Sequence, residues 1–161
     1  MADTAAVLAL VQSQFAVNKP SFFGYQNTVQ SLANTAWTPL SIDASVDDNY
    51  AGHSNSTNNS RYTAQVAATY RVSGCYAPAA NATGFRAVRL IKNGSTILLG
   101  SGLYSPPISG AEIGVPTPSA LVALAVGDYV EVQGWQSSGG NLNTILDVDL
   151  RCSFTVTFEH F

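Results

Sequence analysis

Ser153, Thr155, Thr157 and Glu159 alternate without a break with Phe154, Val156 and Phe158, almost to the end of the chain. A period of two is the mark of a strand with one face buried, because successive side chains point to opposite sides of a sheet. Apolar alternation this strong does not belong to a frayed tail, so the last strand is expected to be central or paired. The same period recurs in Tyr62, Ala64 and Val66, and in Tyr70, Val72, Gly74 and Tyr76. It returns in Val130 and Val132, set against Tyr129, Glu131, Gln133 and Trp135. Further strands are expected at Phe22–Tyr25, around Trp37, Leu40 and Ile42, at Phe85–Ile91, at Thr96–Leu99 and at Leu121–Ala125. Another is expected where Leu146, Val148 and Leu150 alternate with Asp147 and Asp149. Turn signals punctuate these runs: Asn93-Gly94, the strongest tight-hairpin dipeptide, then Gly127-Asp128 and Gly139-Gly140-Asn141. Two stretches read as loops, the polar Asp43–Ser60 and the irregular Gly102–Ser119 with prolines at 106, 107, 116 and 118. A loop as long as the second is usually functional or packs on a partner. Many short strands at even spacing specify an all-β sandwich or jelly roll, and the absence of a fixed repeat disfavours a propeller or solenoid.

The start of the chain differs. Val7, Val11 and Phe15 stand at four-residue steps with Leu8 alongside, and Asp3 or Thr4 can cap the run. This predicts a short N-terminal helix of about three turns, too short to be stable alone. Val7, Leu8, Val11 and Phe15 are therefore candidates for contact with the domain or with sister helices in a stalk. Asn18-Lys19-Pro20 ends the run, which divides the chain into 1–20, helix and linker, and 21–161, the β domain.

Charged residues make up 11% of the chain, against about 25% in ordinary globular domains. Ser, Thr, Asn, Gly and Ala take their place, a neutral surface suited to a protein–protein contact or an extracellular setting. With a net charge of −3 and no basic cluster, nucleic-acid binding is not expected. No run approaches the roughly 18 apolar residues of a membrane helix, so membrane insertion is not expected either. The first residues lack a basic leader and carry Asp3, a poor secretory signal. The chain is expected either to stay inside the cell until released or to be targeted by a segment lying elsewhere.

Residues that could carry chemistry are few. His53 and His160 are the two histidines, and no nucleophile elbow, phosphate loop or zinc-protease motif occurs. His53 lies in an Asp-rich loop and could pair with Asp47 or Asp48, or join them as metal ligands. Asp147 and Asp149 share one face of their expected strand, where two carboxylates could hold calcium or act as acid and base, or simply form an outward polar face beside Arg151. Trp135, on the face of Tyr129, Glu131 and Gln133, fits a core or inter-subunit position, or an exposed ring for sugar stacking or interface anchoring. Tyr104, in the proline-rich loop, is the second candidate ligand contact. Cys75 and Cys152 read as two free thiols or as one bridge, and their spacing lacks zinc-site character.

The order of several segments resembles the complement C1q-like and TNF-like globular heads. These are Asn59–Ala64, Ala67–Ser73, Gly84-Phe85-Arg86, Arg89–Gly94, Leu121–Leu124, Val126–Val132, Gly139–Leu142 and Ser153–Val156. The resemblance spans roughly residues 22–161, with Ala68 standing where that family usually has glycine. It implies a ten-stranded jelly roll assembled as a homotrimer at the tip of a stalk. Asp48 and His53 ahead of the Arg61 strand, then Gly84-Phe85-Arg86, are similar to the bacterial and bacteriophage branch. Calcium occurs at trimer apices in this family, but no motif here places such a site, so no cofactor is expected.

These readings lead to a non-enzymatic, homotrimeric binding head of a fibre, with no catalytic residue. The expected setting is a bacteriophage tail, on the virion, attaching to a host cell-surface glycan or protein beside other tail or fibre proteins. A bacterial or spore surface head that binds glycan or protein is the alternative. A glycan hydrolase using Asp147 and Asp149 is a third class, disfavoured by the lack of motifs.

Overall fold

The computed structural model describes residues 18–107 and 109–161, and every regular element in them is a strand. The expected helix, with Val7, Leu8, Val11 and Phe15, lies outside the described residues. In chain order the strands are β1 Ser21–Tyr25, β2 Ser31–Leu32, β3 Thr38–Pro39, β4 Ala44–Asp48 and β5 Arg61–Thr63. They continue with β6 Ala68–Tyr76, β7 Arg86–Lys92, β8 Thr96–Ile97, β9 Leu103–Ser105 and β10 Val115–Pro116. The last four are β11 Ala120–Leu124, β12 Tyr129–Gln136, β13 Leu142–Asn143 and β14 Ser153–His160.

They form two antiparallel layers. The first runs β4-β1-β14-β6, with β10 and β11 both pairing with the free side of β6. The second has β12 and β7 at its centre, with β3 and β5 flanking β12 and β8 and β9 flanking β7. If β8 with β9, and β10 with β11, are each taken as one interrupted strand, each layer holds five strands, the ten of a jelly roll. A small β2–β13 ribbon stands apart. The final strand is central as expected, between β1 and β6.

Alternation places the core between the layers. Phe22, Tyr70, Val72, Phe154 and Val156 point inward from the first sheet, and Val88, Leu90, Val130 and Val132 from the second. Phe22 is the hub of an aromatic group, 5.5 Å from Tyr62 and 5.6 Å from Phe154 between ring centroids. Gly74 lets the layers close: a methyl group there would lie 2.5 Å from Val132 Cγ2. The two hairpin turns at one end are tied together by Asp128. Its carboxylate accepts from Lys92 Nζ at 2.7 Å, Asn93 Nδ2 at 2.9 Å and the Ala125 amide at 2.9 Å. Asn93 and Gly94 both have positive φ, 51° and 70°, as the Asn-Gly signal requires.

Three expectations need correction. The polar stretch Asp43–Ser60 contains a strand, β4, which pairs with β1 at the sheet edge. An edge strand covered on neither side needs no apolar alternation, so its ASVDD sequence hides it. The irregular Gly102–Ser119 contains β9 and β10, each too short to show a period. The alternation Leu146–Leu150 is no strand but a tight reversal closed by the Leu146–Arg151 bridge, with Val148 at its tip 87% exposed. Asp147 causes it: its Oδ1 accepts the Asp149 amide, a side-chain turn that competes with extended pairing.

Candidate functional site

The outward faces of the two sheets are the candidate binding surfaces, and registry fixes what each displays. On the first sheet Tyr25, Ser153 and Cys75 form one cross-strand row, and Phe23, Thr155 and Ser73 the next. Ser21, Thr157, Arg71 and Leu121 form a third. Across β1, β14 and β6 the first two rows carry no charge, and charge enters at the edge, where Asp47 on β4 pairs with Phe23. Among the described residues, the hydroxyls of Ser73, Ser153, Thr155 and Thr157 make no side-chain hydrogen bond. Charge stays peripheral: Arg71 binds Glu159 through two nitrogens at 2.8 and 3.1 Å, which holds the Glu159 carboxyl below its ordinary range. Beside β4 the face deepens into an open cavity of about 370 Å³ lined by Phe23, Tyr25, Val46, Val148, Asp149 and Arg151. Val46 is 70% exposed there, and the Arg151 guanidinium lies 5.5 Å from the Tyr25 ring centre. Contiguous exposed apolar side chains of this kind mark contact surfaces.

The second sheet presents a different row. Tyr104 on β9 and Trp135 on β12 both pair with Ala87 on β7, one from each side. Ala87 is too small to keep them apart, so the rings close over it at 6.3 Å and leave it fully buried. Trp37, just before β3, extends the row at 6.4 Å from Trp135. In the adjacent row Arg89 lays its guanidinium on the Trp37 ring, 4.1 Å from the centroid, while its Nε donates to Gln133 Oε1 at 2.9 Å. Burial pulls Arg89 below its ordinary pKa, with Tyr104 acting the other way. Next along, Glu131 is held by Ser60 Oγ at 2.6 Å and faces Arg61 at 3.6 Å, and Arg61 stacks on Tyr129 at 4.1 Å.

The structure therefore joins the two candidate ligand contacts, Tyr104 and Trp135, in one stripe. Sequence reading missed Trp37 and Arg89 as members. Arg89 stands at the outward phase of β7 between buried Val88 and Leu90, and that phase is the signal that finds it. Trp37 lies outside any strand and gives no such signal.

The acidic loop is not brought together as a metal site. Asp47 accepts a hydrogen bond from Ser21 Oγ on the first sheet's outward side. Asp48 accepts from the Gly52 and His53 amides at 2.9 and 3.0 Å and so shapes the turn. The His53 ring nitrogens face the Arg61 and Ile42 carbonyl oxygens at 2.9 and 2.8 Å, and the ring packs on Phe22 at 4.6 Å. No group of three or more His, Cys, Asp or Glu suited to a metal occurs among the described residues. Asp147 and Asp149 share a turn rather than a strand face, so the geometry expected of a paired-carboxylate site is not formed. Arg86 is also structural. It is buried and donates to the carbonyls of Asn81, Thr83 and Phe85 at 3.0–3.1 Å.

Both cysteines are free thiols. Cys75 faces outward, in register with Ser153, whereas Cys152 is in the core, where its sulfur accepts the Ala77 amide and burial pushes the thiol up to about 12.

No family model matches the sequence, and no curated protein does. Solved structures do match. Eiger TNF from S. frugiperda superposes with a TM-score of 0.61 at 12% identity, covering 89% of this chain and 94% of that one. Murine APRIL superposes at pH 5.0 with a TM-score of 0.60 and 12% identity, covering 88% of this chain and all of that one. Its pH 8.5 structure gives 0.61 at 10% identity with the same coverage. The fold is the TNF/C1q-like jelly roll. Within that jelly roll, the neutral face belongs to the layer holding both chain-terminal strands of the domain, β1 and β14, and the aromatic stripe to the opposite layer.

Proposed function

We propose that this chain is the homotrimeric, non-enzymatic binding head of a fibre, carried on a bacteriophage tail and used for attachment to the host surface. The observation that carries this reading is the uncharged centre of the first sheet's outward face. Phe23, Tyr25, Ser73, Cys75, Ser153 and Thr155 form a patch of small side chains and aromatic rings that opens toward β4 into the cavity. Its central hydroxyls have no partner among the described residues. Depletion of charge at the centre with aromatics retained is the composition of an interface core. A β face of this kind is covered by a second copy of itself more readily than by water. The TNF-like fold supports the same assembly. The 11% charge content and the similarity of Asp48, His53 and Gly84–Arg86 to phage and bacterial heads support the setting.

The test of the attachment role is competition. Purified chain added to host cells before infection should occupy the receptor and lower adsorption of the virion that carries it. Unchanged adsorption at saturating chain would remove the attachment role.

A further inference from the structure

We infer that the Tyr104–Trp135–Trp37 stripe with Arg89 is a binding surface for an acidic oligosaccharide. This rests on the reading of the chain as a binding head and names what that head holds. Two observations point to this chemistry. The ring row is accessible at its outer end, where Tyr104 is 64% exposed beside half-buried Trp135. Flat aromatic faces with polar tips suit the apolar faces of pyranose rings, whose hydroxyls still need hydrogen bonds at the edge. The second observation is charge. On this face Arg61 is matched by Glu131, and Lys92 by Asp128. Arg89 has no carboxylate within ion-pair distance among the described residues, and its one side-chain hydrogen bond uses Nε. Its two terminal nitrogens remain as a planar donor fork beside the rings, the geometry that takes a carboxylate in bidentate fashion. Trp37 beneath the guanidinium and Gln133 beside it hold that fork in place. A uronic or sialic acid residue supplies both halves, a ring to stack on Trp135 and Tyr104 and a carboxylate for Arg89. A neutral glycan leaves Arg89 unmatched, and an acidic peptide leaves the rings without a flat partner.

The experiment titrates the full chain by calorimetry with oligogalacturonate, oligosialic acid and alginate oligomers. Methyl-esterified oligogalacturonate and an oligoglutamate peptide serve as comparisons. At least one acidic sugar should bind, and where oligogalacturonate binds, its ester should bind about tenfold more weakly or worse. Arg89→Gln should cost the acidic sugar about tenfold. Tyr104→Ala, at an exposed site with little bearing on folding, should cost about three- to tenfold. Failure of all three sugars to bind, equal affinity for the ester, equal affinity for oligoglutamate, or indifference to Tyr104→Ala would each overturn the inference. A chain that is trimeric and blocks adsorption yet binds none of the sugars overturns this inference alone. A monomeric chain overturns the head reading.

Discussion

The two outward faces of the sandwich are built by the same alternation and yet are opposites. On the second sheet Arg61 is matched by Glu131 and Tyr129 and Lys92 by Asp128, while Arg89, steadied by Trp37 and Gln133, keeps its terminal nitrogens without a carboxylate among the described residues. Such a face tolerates water and holds one cation ready for a ligand. On the first sheet the central rows hold Ser, Thr, Cys, Phe and Tyr, with charge at the edges, at Asp47, Arg71 and Arg151. On the proposed reading the neutral face joins copies of the chain, and the aromatic face stays outward to meet a ligand.

Five substitutions break or sharpen that contrast. The largest effect is expected inside the sandwich. Phe154→Ala removes a ring at the centre of the core and should cost about 3–5 kcal/mol of stability, read by denaturant unfolding. Its neighbour Thr155 points the other way. Thr155→Arg should leave the fold intact by circular dichroism but break the assembly, because three like charges would meet at the neutral face, a cost of several kcal/mol. The same charge at Tyr104 should leave the mass unchanged; if Tyr104→Arg dissociates the assembly instead, the two faces have been assigned the wrong way round. Next, Trp37→Leu removes the platform under Arg89 and should lower stability by about 1 kcal/mol without changing the oligomer.

The smallest effect concerns Asp128. Lys92 and Asn93 hold its carboxyl well below the usual range. A folded-state pKa below the unfolded one stabilises the fold above the unfolded value, about 3.9, and that contribution is lost as pH falls toward the folded value. Asp128→Asn should therefore be less stable than the parent at pH 7, and the gap should narrow in melts taken below about pH 4. A gap that widens in acid would contradict the clamp.

The sequence revealed the fold where strands are long and apolar side chains alternate with polar ones. Strands β6, β12 and β14 each show their period of two directly, and Asn93-Gly94 marked its hairpin. It hid β4, because an edge strand exposed on both sides selects no apolar pattern, and it suggested a strand at Leu146–Leu150, because a turn carrying alternate Asp residues mimics one. The candidate site was half legible. Trp135 stands out on the face opposite Val130 and Val132 and Tyr104 as a ring in the proline-rich loop, but their meeting depends on Ala87, a residue notable only for being small. Trp37 and Arg89 join them through pairing between distant segments, which no local pattern records.

The central claim is that the neutral face of the first sheet is a contact between copies. Light scattering on the full chain at micromolar concentration tests it most directly. A trimer gives three times the 16.9 kDa chain mass, and Thr155→Arg returns it to one. A mass of 16.9 kDa for the unaltered chain, or a trimer unmoved by Thr155→Arg, would contradict it.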